Sequence, residues 1–209
     1  MRRTCQILAI LAAITLGLTS LSQGAPSKSA KFYYDQGFDL LKKGQNALAI
    51  AKFNKAIQTN PKYALAYSLR GVAYYRGGYI NKAMADLNKA IELNPRIAIA
   101  YNYRGIIYSN NKDYNKAIAE YNKAIEFNPQ SAVYHNNRGM AYYHSKAYDE
   151  AIADFSKAIQ LNPNFDMAYQ NRAHAYFKKK DHKKGEEDMQ RAQSLKEQNA
   201  FQQILESKK

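Results

Sequence analysis

The chain has 209 residues, 46% of them hydrophobic, which suits one ordered domain and excludes a disordered chain. Its net charge is +14, and its single cysteine, Cys5, precedes an apolar run, so everything after that run lacks disulfides, thiolate metal sites and a cysteine nucleophile. With 18 tyrosines, 8 phenylalanines and no tryptophan, the aromatic content points to half-wet packing positions, where a ring is buried and its hydroxyl reaches water or a polar partner.

The chain opens with Arg2-Arg3, an apolar run from Ile7 to Leu18, and a polar segment ending at Gly24. This is the layout of a secretory signal peptide over residues 1–24, with Ser22 and Gly24 as the small residues before the cut. Twelve apolar residues are short for a hydrocarbon core, so an uncleaved membrane anchor is the lesser reading and no permanent span is expected after cleavage. Residues 25–29 form a short linker. Loss of Arg2 and Arg3 leaves a net charge of +12, from 29 basic and 17 acidic residues. An exported protein meets little nucleic acid, so none is expected as partner; anionic envelope polymers, lipid headgroups or an acidic protein suit that surface better, unless the lysines serve solubility alone.

From residue 30 the sequence repeats. Pro61, Pro95, Pro129 and Pro163 follow one another at 34 residues, each preceded by asparagine. The same interval relates Gly37, Gly71, Gly105, Gly139 and Ala173; Ala49, Ala83, Ala117, Ala151 and Gly185; and Ala56, Ala90, Ala124, Ala158 and Ala192. With the glycine eighth, five units run 30–63, 64–97, 98–131, 132–165 and 166–199. Each predicts a helical hairpin. The glycine on the first helix and alanines such as Ala117 and Ala124 on the second are expected to face each other, letting the axes approach. Gly44, Gly77-Gly78 and Asn110-Asn111 supply turn residues tolerant of left-handed backbone, and Asn-Pro ends each second helix. One hairpin cannot bury its apolar face alone, so stability must come from stacking. The fifth unit has Glu197 in place of proline, so its last helix is expected to continue through a capping extension, 200–209, with Phe201 and Leu205 covering the end of the core. That amphipathic end is otherwise a dock for a partner or a second copy; oligomeric state is not legible.

These units resemble the tetratricopeptide repeat, carried by Tyr67, Gly71, Tyr74, Ala83, Ala90 and Pro95 in the second and Tyr101, Gly105, Tyr108, Ala117, Ala124 and Pro129 in the third. The resemblance implies an all-α solenoid of five hairpins with a C-terminal capping helix. It also implies that first helices line a concave groove, with Tyr34, Phe38, Ser68, Val72, Tyr75, Arg76, Asn102, Ile106, Asn136, Met140, Tyr143, Gln170, His174 and Phe177 projecting into it, along with Leu41, Ser109 and His144, and Asn137 and Asn171 beside them. Position five reads Ser68, Asn102, Asn136, Gln170, a ladder of hydrogen-bonding groups suited to an extended peptide backbone, or merely a solvated face. The family's carboxylate clamp for chaperone tails is absent, because Phe38, Leu69, Ile99 and Tyr103 occupy its places.

Position seven carries Arg70, Arg104, Arg138 and Arg172 where unit one has Gln36; position twenty-three carries Asp86, Glu120, Asp154 and Asp188 where unit one has Lys52. Their joint appearance predicts an ion pair within each hairpin, against a competing pairing of each acid with the next unit's arginine. The four arginines are then structural, not a ladder for anions.

Nothing predicts catalysis, a cofactor or a metal. His135, His144, His174 and His182 show no ligand spacing, and no phosphate loop or nucleophile elbow occurs. The sequence thus reads as an exported scaffold, periplasmic or secreted, gripping a protein or peptide segment in its groove during envelope or secretion-complex assembly. A second reading is a binder of anionic polymer or lipid headgroups through Lys178, Lys179, Lys180, Lys183 and Lys184; a third is a host-directed effector.

Overall fold

The computed structural model of the chain describes residues 29–207, and the side chains of all of these except 201 and 203–207. The expected signal peptide, its cut after Gly24 and the side chains of Phe201 and Leu205 lie outside what is described. Among the described residues ten helices follow in order: α1 (Ala30–Lys42), α2 (Asn46–Thr59), α3 (Ala64–Arg76), α4 (Ile80–Leu93), α5 (Ala98–Asn110), α6 (Tyr114–Phe127), α7 (Ala132–His144), α8 (Tyr148–Leu161), α9 (Asp166–Lys178) and α10 (His182–Ser207). Odd and even helices pair as antiparallel hairpins, and each even helix packs on the odd helix that follows. Consecutive odd helices also touch, whereas no two even helices do among the described residues. The stack therefore bends with odd helices on its inner side, forming an α-solenoid.

Within each hairpin the eighth-position glycine is a notch for one large side chain. A Cβ on Gly105 would lie 2.6 Å from the Tyr121 ring, one on Gly37 2.7 Å from Phe53, and one on Gly139 2.7 Å from Phe155. This corrects the expectation of two small faces meeting. The residue opposite the glycine is the bulky twenty-fourth, Phe53, Leu87, Tyr121 or Phe155, because a ring seated in a hole buries more apolar area than glycine against alanine. Phe53, Leu87 and Phe155 are wholly buried, as are the alanines at positions twenty and twenty-seven in the first four units.

Every hairpin turn closes the same way. The fifteenth residue takes positive φ, from 62° at Lys112 to 80° at Gly78, with Gly44, Lys146 and Lys180 between. Its N–H bonds back three residues, and the next N–H bonds back five, as in Lys112 to Ser109 O and Asp113 to Tyr108 O, both at 2.9 Å. The left-handed residue is thus Lys112, not Asn110-Asn111, and Gly78, not Gly77. Position alone decides it, since the helix ends at the same register whatever residue stands there. Before the proline of each of the first four units Asn60, Asn94 and Asn162 cap their helices in extended backbone, and Asn128 shares their φ, −137° to −147°, with ψ at 80°, out of the helical region that the following proline disfavours. The last helix has no such stop and runs unbroken to Ser207.

Candidate functional site: the inner face

The arginines come first, because they decide which charges are free. Arg70 Nε and Nη2 donate to the two Asp86 oxygens at 2.6 and 2.7 Å. Arg104 meets Glu120 at 3.0 and 2.5 Å, Arg138 meets Asp154 at 2.7 Å twice, and Arg172 meets Asp188 at 2.7 and 2.8 Å. Each fork lies within one hairpin, not across to the next. The remaining Nη1 reaches backward: Arg70 to Asn54, Arg104 to Asn88, Arg138 to Asn122 and Arg172 to Ser156, at 2.6 to 2.9 Å. One guanidinium therefore ties its own two helices and the preceding repeat. Tyrosines at positions four and eleven flank it, Tyr67 and Tyr74 around Arg70, Tyr169 and Tyr176 around Arg172, with centroids 5.3 to 5.9 Å from the guanidinium carbon. Much of the tyrosine richness has this cause. In unit four His135 replaces tyrosine and adds a contact to Asp154 at 3.4 Å. Burial pushes the Asp154 carboxyl up, but hydrogen bonds from Arg138 and His135 and their charges outweigh it and hold the group below its usual range.

The position-five ladder is corrected by burial. Ser68, Asn102 and Asn136 are 0%, 3% and 4% exposed and do not line the open groove. Asn102 Oδ1 accepts from Asn137 Nδ2, and Asn136 Oδ1 from Asn171 Nδ2, each at 2.9 Å. These amides bond repeat to repeat, since odd helices are close enough on the inner side of the bend for their side chains to meet. Val72 is likewise buried, at 2%. Tyr34, Tyr75, Ile106, Met140, Tyr143, Gln170 and Phe177 are half-buried, and of these Tyr34, Tyr75, Ile106, Met140 and Tyr143 pack against the core. Phe38, Arg76 and His174 are exposed.

What the inner face does present is apolar and lies toward its first half. A cavity of about 390 Å³ is walled by Phe38, Leu41, Leu69, Val72, Ile99 and Tyr103, with Lys42 and Arg76 at its edge. It draws on the first helices of three successive units. Leu69, Ile99 and Tyr103 were legible only as places where the family's clamp is missing; their common apolarity was the signal that they form a surface of their own. At the repeat position of Ile99, Leu65, Val133 and Met167 stand 42%, 49% and 53% exposed. A separate slot of about 500 Å³ lies between the hairpin turn of unit two and α2, lined by Ile50, Tyr74, Tyr79 and Lys82 among others; it is distinct from the inner face.

Among the described residues no three His, Cys, Asp or Glu side chains are grouped to hold a metal ion, and no helix is long and apolar enough to cross a membrane.

Residues 64–97, 87–119, 132–165 and 168–199 match the tetratricopeptide repeat, and residues 37–78 and 110–146 match the TPR repeat. Among solved structures, MamA from Desulfovibrio magneticus RS-1 superposes with a TM-score of 0.69 at 21% identity, over 83% of this chain and 98% of that one. A second MamA structure gives 0.67 at 26% identity, over 79% and 96%. The Pseudomonas aeruginosa protein pilF gives 0.73 at 20% identity, over 79% and 76%. These likenesses speak for the fold. No curated protein matches the sequence.

Proposed function

Because the chain belongs to the tetratricopeptide repeat family, we propose that it is an interaction scaffold whose inner face grips a segment of a protein partner. The observation that supports this is the apolar cavity on the inner side of the bend, floored by the buried Leu41, Leu69 and Val72 and flanked by half-buried Ile99 and Tyr103 and by Phe38, 42% exposed, a concave apolar site of the kind that receives a partner's side chain. The arginines contribute no anion site, since their forks are already filled by carboxylates. The signal-like sequence of residues 1–24 supports the further proposal that the scaffold is exported, periplasmic or secreted, and we propose that it serves assembly of an envelope or secretion complex.

A photocrosslinking residue at Phe38 tests the groove. A protein from the chain's own cell fraction should be trapped there and lost from an Ile99→Glu background, while the same probe at exposed Lys62 traps nothing specific. Trapping that survives Ile99→Glu and disappears with rising salt favours the anionic-polymer reading. N-terminal sequencing of the exported form should begin at Ala25; retention of residues 1–24 in the envelope fraction favours the uncleaved anchor, and recovery of the chain from the cytoplasm alone overturns the export reading.

A further inference from the structure

We propose that the cavity between the first three inner helices selects a partner segment in which a bulky apolar side chain is followed closely by a carboxylate; this rests on the groove reading above. Two sets of observations converge. The walls are carbon, from six side chains on three repeats, and Phe38 stays 42% exposed over the opening. The only charges on the cavity are cationic, Lys42 and Arg76, both in the last turn of their helices. Neither forms an ion pair among the described residues, in contrast to the four arginines that are consumed by Asp86, Glu120, Asp154 and Asp188. Arg76 is held at the rim, where its Nη1 donates to the Leu41 carbonyl at 3.1 Å, leaving its other N–H groups unspent. The Lys42 ammonium sits 5.6 Å from the Phe38 ring. The same helix carries two acids, Asp35, engaged by Lys31 at 2.7 Å, and Asp39, which is exposed and does not line the cavity.

An apolar hole edged by two cations that no carboxylate pairs complements an acidic, apolar segment and repels a basic one. The chain's own first 28 residues are a poor fit, since they contain apolar residues and Arg2 and Arg3 but no Asp or Glu. The apolar part supplies most of the affinity, because burying a Leu or Phe side chain is worth about 1.5–3 kcal/mol, a factor of about ten or more. The cations supply selection.

The test uses fluorescence anisotropy of the full chain with a labelled peptide, Gly-Ser-Phe-Leu-Glu-Asp, its alanine counterpart Gly-Ser-Ala-Ala-Glu-Asp, and its amide counterpart Gly-Ser-Phe-Leu-Gln-Asn. The alanine peptide should bind at least about tenfold more weakly, and the amide peptide about fivefold more weakly. In Lys42→Gln/Arg76→Gln, which gives up the bond from Arg76 to the Leu41 carbonyl but should still unfold in one cooperative transition well above the assay temperature, the first and third peptides should bind alike. Equal binding of those two by the unaltered chain overturns the proposal, as does a charge preference that survives the double substitution. A partner trapped at Phe38 yet indifferent to Lys42→Gln/Arg76→Gln leaves the groove reading standing and sinks this one. Failure of both the peptide and the trapping at Phe38 sinks both. Binding by a second copy of the chain would show as concentration-dependent mass in light scattering, lost in Phe38→Glu, and counts against the peptide.

Discussion

The first hairpin and the later four are built from the same repeat and held by different forces. Units two to five each carry a guanidinium forked onto an acid, braced by tyrosine and reaching into the unit before. Unit one has Gln36 and Lys52 in those places, and the buried Gln36 Oε1 has no hydrogen-bond partner. The inner side differs in the same sense. Between later units Asn102 and Asn136 are tied by Asn137 and Asn171, whereas the first interface is closed by Leu41, Leu69 and Val72, with Ser68 Oγ buried and unpartnered. The first interface also keeps a polar tie, Arg70 to Asn54 at 2.6 Å; the contrast between interfaces lies on the inner side, where carbon stands in place of paired amides and the apolar cavity lies.

Removing a staple should expose that contrast most sharply. Asp154→Ala strands Arg138 and His135 beside it and should cost about 3 kcal/mol in urea unfolding, whereas Lys52→Ala, its counterpart in unit one, should stay within about 0.5 kcal/mol. The same carboxylate sets a pH response. Its folded pKa lies below the unfolded value, so its contribution is complete above the unfolded value near 3.8 and is lost as pH falls from there through the folded pKa. Stability measured between pH 5 and 2 should therefore fall less steeply in Asp154→Asn than in the parent.

Glycine notches come next. Gly105→Ala puts a methyl 2.6 Å from the Tyr121 ring and should cost about 2 kcal/mol despite alanine's better helix propensity. Gly71→Ala meets Leu87 Cγ at 3.0 Å and the Ala83 carbonyl oxygen at 3.2 Å, looser contacts than at Gly105, and should cost less, about 1 kcal/mol. A smaller effect, of opposite sign at equivalent positions, is expected on the inner side. Asn136→Ala leaves the Asn171 amide unsatisfied and should cost about 1.5 kcal/mol, while Ser68→Ala removes an oxygen without a partner and should be neutral or stabilising. Smallest are the turns. The first two units place Gly44 and Gly78 at the left-handed position and the last three place Lys112, Lys146 and Lys180 there, so Lys146→Gly should raise stability by about 0.5–1 kcal/mol in thermal unfolding. A loss there would mean that the lysine side chain contributes more than its backbone costs.

Architecture was legible because it is periodic. A slot repeated at 34 residues, such as Pro61 to Pro163, reports a constraint that every unit obeys, and the arginine and acid that vanish together in unit one report a contact. The inner face was legible only in outline. Asn102 looks like a groove residue by position, and whether it meets solvent or Asn137 depends on how far adjacent first helices close, a distance no single repeat encodes. The cavity breaks the period altogether: Phe38, Leu69 and Ile99 hold the ninth, sixth and second positions of three different units, so it emerges only when the stack is assembled. The backward reach of each arginine left a fainter trace, the series Asn54, Asn88, Asn122 and Ser156, which reads as surface until the stacked repeats bring it against the arginines.

That backward reach also carries a consequence for how such a chain lengthens. The third unit offers both halves of the joint, Arg104 toward Asn88 behind it and Asn122 toward Arg138 ahead. An extra copy of residues 98–131 spliced after residue 131 would find a mate on either side, whereas a duplicated first hairpin, lacking the arginine, would leave a seam. Internal units are interchangeable parts and the leading one is an end piece, so gene duplication has an easy direction in which to extend the array.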